Sequence, residues 1–199
     1  MMNGKFHMAW GDFGSIRNEK ALEYECFRAI ANGAKVCIGD QLHPTGRLEP
    51  AVYDRIGKVF SEIEKREYWV DQTDKIAQVA VLTTSRTLYA HNMNGNLADE
   101  GVYRVLSEAK IPFDFVSFID PLDKYKLLIL PDNCYIDDNY VKKVNKFTDN
   151  GGKLLVTATS GMINGRFALS ALPVKYVSKS EYDTRYINLD KKLFADIPE

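Results

Sequence analysis

Nowhere does this chain reach the roughly 18 consecutive apolar residues that a membrane-spanning helix needs. Its opening residues, Met1 to Trp10, hold one lysine, no apolar run of export-signal length and no small-residue cleavage site, so a cytoplasmic protein is expected. Cysteine is scarce. Cys26, Cys37 and Cys134 are odd in number and unclustered, which argues against a disulfide framework and fits a reducing compartment; Cys26 and Cys37 read as small apolar core residues. His7, His43 and His91 show no H-x-x-x-H spacing, no C-x-x-C pair accompanies them and the carboxylates are scattered, so no metal site is expected. There is no phosphate-cradling G-x-G-x-x-G or Walker pattern, and no cofactor is expected. A net charge of −1 with acids and bases interspersed leaves no electrostatic footprint for nucleic acid or anionic lipid, so neither is an expected partner. Internal repeats and low-complexity segments are missing too.

What is present is the balance of an ordinary soluble protein: 199 residues, 45% hydrophobic and 27% charged, enough for one large or two small domains with a real core. In the first half, His7-Met8-Ala9-Trp10 leads into Gly11-Asp12-Phe13-Gly14-Ser15, and Lys35-Val36-Cys37-Ile38 leads into Gly39-Asp40-Gln41-Leu42-His43-Pro44. Two short strands thus end in polar clusters, and each precedes an amphipathic helix. Asn18 caps a helix over 19–32 that presents Leu22, Cys26, Ala29 and Ile30 on one face, with Gly33 suited to its left-handed end. Pro50 opens another whose stripe is Val52, Ile56, Val59, Phe60 and Ile63, its outer face heavily charged. Carboxylates, His and Trp at strand ends mark the rim on which (β/α)8 barrels build active sites; such a barrel takes eight units and about 250 residues, and this half supplies two.

Residues 68–74 read as a polar connection, after which a more complete α/β series begins. The expected strands are 76–82, 113–119, 127–130 and 153–157, with helices over 97–110 and after the capping residue Asp137, the latter burying Tyr140, Val144 and Phe147. Near-continuous apolar strands alternating with helices imply a parallel sheet covered on both faces, and right-handed crossovers make 2-1-3-4 the economical, flavodoxin-like strand order. Beyond Gly161 the pattern weakens, with strands expected at Val174–Val177 and Thr184–Leu189 and a C-terminal truncation of the domain expected.

The segment 10–18, the run 39–48 and Ala51-Val52-Tyr53-Asp54-Arg55-Ile56-Gly57 resemble the final barrel units of bacterial glycoside hydrolases related to family 42 β-galactosidases and to some α-L-fucosidases. In the second half, Val79-Ala80-Val81-Leu82, Leu128-Ile129-Leu130-Pro131 and the passage 150–161 resemble those enzymes' β-galactosidase-type trimerisation domain. The fold class expected is therefore α/β: a partial (β/α) barrel over 1–72, then a flavodoxin-like, class I glutamine amidotransferase-like parallel-sheet domain over 73–199. The resemblance implies a parent enzyme that cleaves a carbohydrate substrate, and a second domain that mediates homo-oligomerisation, a trimer foremost, without chemistry of its own. Most of the barrel is absent from the chain, so autonomous catalysis is not expected.

Glycoside hydrolysis needs two carboxyl groups about 5–5.5 Å apart for retention or ~6.5–9.5 Å for inversion. Asp12 and Asp40, at the ends of adjacent strands, are the candidates, although a family β-galactosidase would offer a glutamate nucleophile where Asp12 stands. Each aspartate is equally readable as a tie for its own loop. His7, Gln41 and His43 are candidates for holding sugar hydroxyls, with His43 also readable as a turn residue; Trp10 either stacks on a pyranose or packs within the barrel. The competing reading is a flavodoxin-like or amidotransferase-like binding module. Its nucleophile elbow would follow Val156, where Thr157-Ala158-Thr159-Ser160-Gly161 holds no Cys and no G-x-S-x-G, and its switch-point loop would be 83–96. Cys134, after a different strand and with no histidine near it in sequence, reads as a half-buried thiol.

Overall fold

A computed structural model describes residues 1–71, 73–85 and 97–182. Two compact units divide the chain, Met1–Ile76 and Ala77–Glu199.

In the first unit, β1 (Met2–Gly4) and β2 (Cys37–Gly39) form a two-stranded parallel sheet in the register Met2 to Cys37 and Gly4 to Gly39. The strand expected at 7–10 is not there: it lies five residues earlier, and His7 to Trp10 is a chain of bends and turns. Met2-Asn3-Gly4 carries almost no strand propensity; pairing with Cys37–Gly39, extended by Lys5 N donating to Gly39 O at 2.9 Å and Cys37 N to Met1 O at 2.9 Å, makes it a strand. α1 (Glu19–Ala31) starts where expected, because the Asn18 side chain accepts from Lys20 N at 2.8 Å. It stops at Gly33, whose φ of +79° lets Ala34 N reach back to Ala29 O at 3.0 Å. α2 (Pro50–Glu64) follows, and Leu22, Cys26, Val59 and Ile63 of the two helices form one buried cluster on which Ile38 and Val36 pack. Cys26 is therefore core, as expected, and burial foremost pushes its thiol up. Cys37 is a correction: strand alternation turns it away from the helices, and it is exposed. A further correction is α3 (Glu67–Val70), a one-turn helix that takes up the start of the stretch read as a polar connection; its Tyr68 and Trp69 rings meet edge to face in the open.

The second unit is built around β3 (Val79–Leu82), every residue of which is buried. α4 (Leu97–Glu108) crosses to β4 (Phe113–Val116); the chain then passes to the other side of β3 at β5 (Leu127–Leu130), and α5 (Asp138–Asp149) leads on to β6 (Lys153–Val156). All three pairings are parallel and the spatial order is β4-β3-β5-β6, the 2-1-3-4 order expected. Side chains alternate between two cores. Ala80, Leu82, Leu128 and Leu130 face α5 with its Tyr140, Val144 and Phe147; Val79, Val81, Phe113 and Ile129 face α4 with its Leu106. Asp137 caps α5 by accepting from Tyr140 N at 2.8 Å. The strand expected over 113–119 ends at Val116, because Asp120 accepts from both the N–H and the hydroxyl of Ser117 and folds the chain back; those two bonds hold its carboxyl below the usual range. Beyond β6 comes a small antiparallel hairpin, β7 (Met162–Ile163) and β8 (Arg166–Phe167). Val174–Val177 is not a strand: it alternates but pairs with no strand among the described residues. The strand expected at 184–189 and most of the 83–96 loop lie outside the described residues.

Leu128 is wholly buried at the centre of the sheet. Leu128→Ala is expected to cost about 2–5 kcal/mol, read as a lowered urea midpoint followed by circular dichroism.

Candidate functional site

At the carboxyl ends of β1 and β2 the two polar loops are joined by a residue that sequence reasoning passed over. Lys5 follows β1 directly, its side chain is only 4% exposed, and its Nζ lies 3.7 Å from Asp40 Oδ1. The same ammonium donates to Phe13 O at 2.9 Å and stands 5.0 Å from the Phe6 ring centroid. A buried ammonium is tolerable only if paired and hydrogen-bonded, and here one loop supplies the carboxylate and the other the carbonyl. Asp40 also accepts from its neighbour's N–H, Gln41 N, at 2.7 Å. Tyr53, on α2, stands beside it: burial first, then the neighbouring Asp40 charge, push the phenol above its ordinary value.

Asp12 is engaged differently. Its Oδ2 accepts a hydrogen bond from the Ser15 hydroxyl, Ser15 Oγ accepts from His7 N at 2.8 Å, and Ser15 N donates to Asp12 O at 3.2 Å. The two candidate carboxylates thus hold separate sets of partners, each within or beside its own loop. Trp10 lies against the strand ends: a methyl added at Gly39 would sit 2.2 Å from its ring, so the indole occupies the space a side chain there would need, while at Gly4 a methyl would touch the indole at an ordinary 3.7 Å and press on Phe6 at 2.9 Å. Its ring meets Phe6 at 5.1 Å and remains 52% exposed. His7 and His43 are exposed; His43 meets the edge of Phe13 at 6.0 Å and closes a turn by accepting from Gly46 N at 2.7 Å. The Gln41 amide oxygen is buried with no hydrogen-bond partner among the described residues. Of the six residues singled out from sequence, Trp10, Asp40 and Gln41 gather at the strand ends, while Asp12, His7 and His43 belong to the loops around them. Lys5 and Tyr53 complete the cluster. Nothing along the sequence pointed to Lys5, because the strand it follows has almost no strand propensity of its own and Asp40 is distant in the chain.

In the second unit the ends of β5 and β6 are also tied together. Ser160 is fully buried, its hydroxyl donating to Pro131 O and accepting from Cys134 N at 2.7 Å; Thr159 Oγ1 donates to Asn133 Oδ1 at 2.6 Å. Asn133 and Ala158 are left-handed, at φ 58° and 49°. The sharp bend after β6 therefore exists where an elbow nucleophile would stand, but the residue on it is alanine. Cys134 is 3% exposed, buried more deeply than expected. A thiol so enclosed is no nucleophile for a solvent-borne substrate. Beside β3, Asp99 accepts from Thr84 N at 3.0 Å and from Thr83 Oγ1 at 2.9 Å, a buried brace holding α4 to the strand end. No group of three or more metal-ligating side chains occurs among the described residues.

A parallel four-stranded α/β unit preceded by a β/α pair defines the class of this protein, and comparison with known proteins narrows it. Residues 82–173 match the family model of the beta-galactosidase trimerisation domain. The chain is 39% identical to the alpha-L-fucosidase isoenzyme 2 from Paenibacillus thiaminolyticus, with a TM-score of 0.76, covering 85% of this chain and 26% of that one. It shares the fold of a beta-galactosidase from Bacillus circulans sp. alkalophilus, at 20% identity and a TM-score of 0.65, covering 81% of this chain and 27% of that one. Among curated relatives, Beta-galactosidase BgaB from Geobacillus sp. is 27% identical over 192 residues, covering 84% of this chain and 28% of its own length. The chain thus spans about a quarter of the length of the curated relatives it matches. The likeness expected from sequence is borne out: this protein is related to glycoside hydrolases and carries a region of the β-galactosidase trimerisation type.

Removing the Asp40 carboxylate would leave the Lys5 ammonium buried with a single carbonyl. Asp40→Ala is expected to destabilise the first unit by about 3 kcal/mol, and adding Lys5→Met should restore most of the loss. Urea unfolding of the single and double variants measures both.

Proposed function

We propose that this chain is the C-terminal portion of a glycoside hydrolase of carbohydrate metabolism, with the last (β/α) units of a catalytic barrel over 1–72 and a flavodoxin-like self-association domain over 73–199. The 39% identity over most of the chain to an α-L-fucosidase carries this reading, and the family match over residues 82–173 supports it. The substrate of the whole enzyme is then a fucoside or galactoside, and Asp12, Asp40, His7, Trp10, Gln41 and His43 are its contribution to the rim. The chain by itself is inert in this reading. Asp40 neutralises Lys5 and Asp12 holds Ser15, so neither carboxylate stands ready as an acid or nucleophile without the rest of the barrel around the sugar. The second unit favours association over catalysis: its elbow residue is Ala158, and Phe115 on edge strand β4 and Leu155 on edge strand β6 are 43% and 48% exposed. A closed trimer and a cytoplasmic location complete the proposal; no helix among the described residues is long and apolar enough to cross a membrane.

Two measurements test it. Nitrophenyl fucosides and galactosides of both anomers are expected to go unhydrolysed by the isolated chain, and turnover abolished by Asp12→Ala or Asp40→Ala would overturn that. Light scattering at tens of micromolar is expected to give a multiple of 22.6 kDa, whereas a monomer mass would remove the association role.

A further inference from the structure

We propose that the peptide between Asn164 and Gly165 is a site of spontaneous covalent modification, at which the asparagine closes on the backbone, loses ammonia and ends as aspartate or isoaspartate. The reaction needs a carboxamide free to turn and an unencumbered N–H on the next residue, and glycine there puts no Cβ in the way of the attack. The sequence holds five Asn-Gly pairs, at 3–4, 32–33, 94–95, 150–151 and 164–165. The pair at 94–95 lies outside the described residues; the structure separates the other four. Asn3 is half-buried and its Nδ2 donates to Glu25 Oε2 at 2.9 Å. Asn32 Nδ2 donates to Arg28 O at 2.8 Å, and Gly33 N donates to Ile30 O at 2.9 Å. Gly151 N donates to Thr148 O at 2.9 Å. At 164–165 neither the carboxamide nor Gly165 N has a hydrogen-bond partner among the described residues. Both residues are exposed, and a methyl placed on Gly165 would meet nothing within 4 Å.

The hairpin supplies the freedom the chemistry needs. Asn164 and Gly165 are the two-residue loop between Ile163 and Arg166, both left-handed at φ 50° and 76°, the type I′ geometry that Asn-Gly favours. Only Met162 with Phe167 and Ile163 with Arg166 pair β7 to β8, and so short a ribbon opens at little cost, releasing the left-handed asparagine as it does. In the opened loop Gly165 N gives its proton to hydroxide and bonds to Asn164 Cγ; the carboxamide C–N bond breaks and ammonia leaves with a proton from water, closing a succinimide ring. Water then adds to one of the ring carbonyls. Opening on one side gives aspartate, and on the other isoaspartate, whose backbone runs through the side-chain carbon and is a methylene longer. The longer backbone no longer fits a type I′ loop, and the misfit falls on a seam of the second unit: Ala168 N donates to Gly161 O at 3.0 Å, and Leu169, 3% exposed, fills the core beside Gly161.

Tryptic cleavage puts the four described pairs on separate peptides, 1–5, 29–35, 147–153 and 154–166. The test holds the intact chain for days in warm, mildly alkaline buffer and follows each peptide by mass spectrometry for the gain that replaces an amide with an acid, fresh chain serving as the zero-time reference. Peptide 154–166 is expected to convert about tenfold faster than each of the other three, because only its pair opens locally with a free N–H. Its product should be a mixture of aspartate and isoaspartate. In urea, where each pair is unstructured, the four rates should come within about threefold of one another. Hydrogen exchange at the Ala168 amide should be faster in the converted chain than in the fresh one. Equal rates in the native chain, a lead taken by any of the other three peptides, or the same ranking kept in urea would each overturn the proposal. Aspartate formed without isoaspartate would overturn the succinimide route, and an Ala168 amide unaltered by the conversion would overturn the loosening of the seam.

Discussion

Strands that run parallel cannot leave a face or an edge to water cheaply, because each strand is apolar on both sides and the crossovers that connect parallel neighbours are themselves the cover. The second unit meets this requirement almost fully. α4 and α5 lie on opposite faces of β4-β3-β5-β6, and the middle strands β3 and β5 contain the most deeply buried side chains of the unit. Among the described residues the first unit meets it on one face only. Trp10, folded over Gly4 and Gly39, is a partial lid on a surface that two strands and two helices are too few to enclose.

Where a signal was local, the sequence was readable. Asn18 and Asp137 cap helices because a short oxygen-bearing side chain ahead of an apolar period has one thing to do, and Leu127–Leu130 is a strand because four consecutive large aliphatics bounded by Lys126 and Pro131 leave little else. The 2-1-3-4 order followed from crossover handedness and economy, neither of which needs side-chain detail. The misreadings share a cause in distant partners. Met2-Asn3-Gly4 is a strand because of Cys37–Gly39, and His7 to Trp10 is not, although it looks the better candidate. Val174–Val177 alternates and pairs with no strand among the described residues. Cys37 is core or surface according to which way one short strand faces, a parity that a three-residue element does not reveal.

The candidate site divides in the same way. That Asp12 and Asp40 would stand near strand ends was legible, since polar residues after apolar runs mark such ends. Their partners were not. Lys5 is buried because two loops close over it, and Tyr53 reaches Asp40 from a helix that begins ten residues later in the chain. The electrostatic character of the site is therefore a property of the assembled loops: two acids readable along the chain either as a catalytic pair or as ties for their own loops are, in space, one ion pair between loops and one loop brace.

The placement of Trp10 also determines what light can report about this protein. The chain has two tryptophans, Trp10 and Trp69, and both lie in the first unit, one against the β1–β2 glycines and the other in the open on α3. Indole emission thus observes the first unit alone, and the parallel sheet of the second melts unseen in that channel, while circular dichroism records both. A single chain offers two spectroscopic windows with no label added, so whether its halves unfold together or in turn can be read from the gap between two curves.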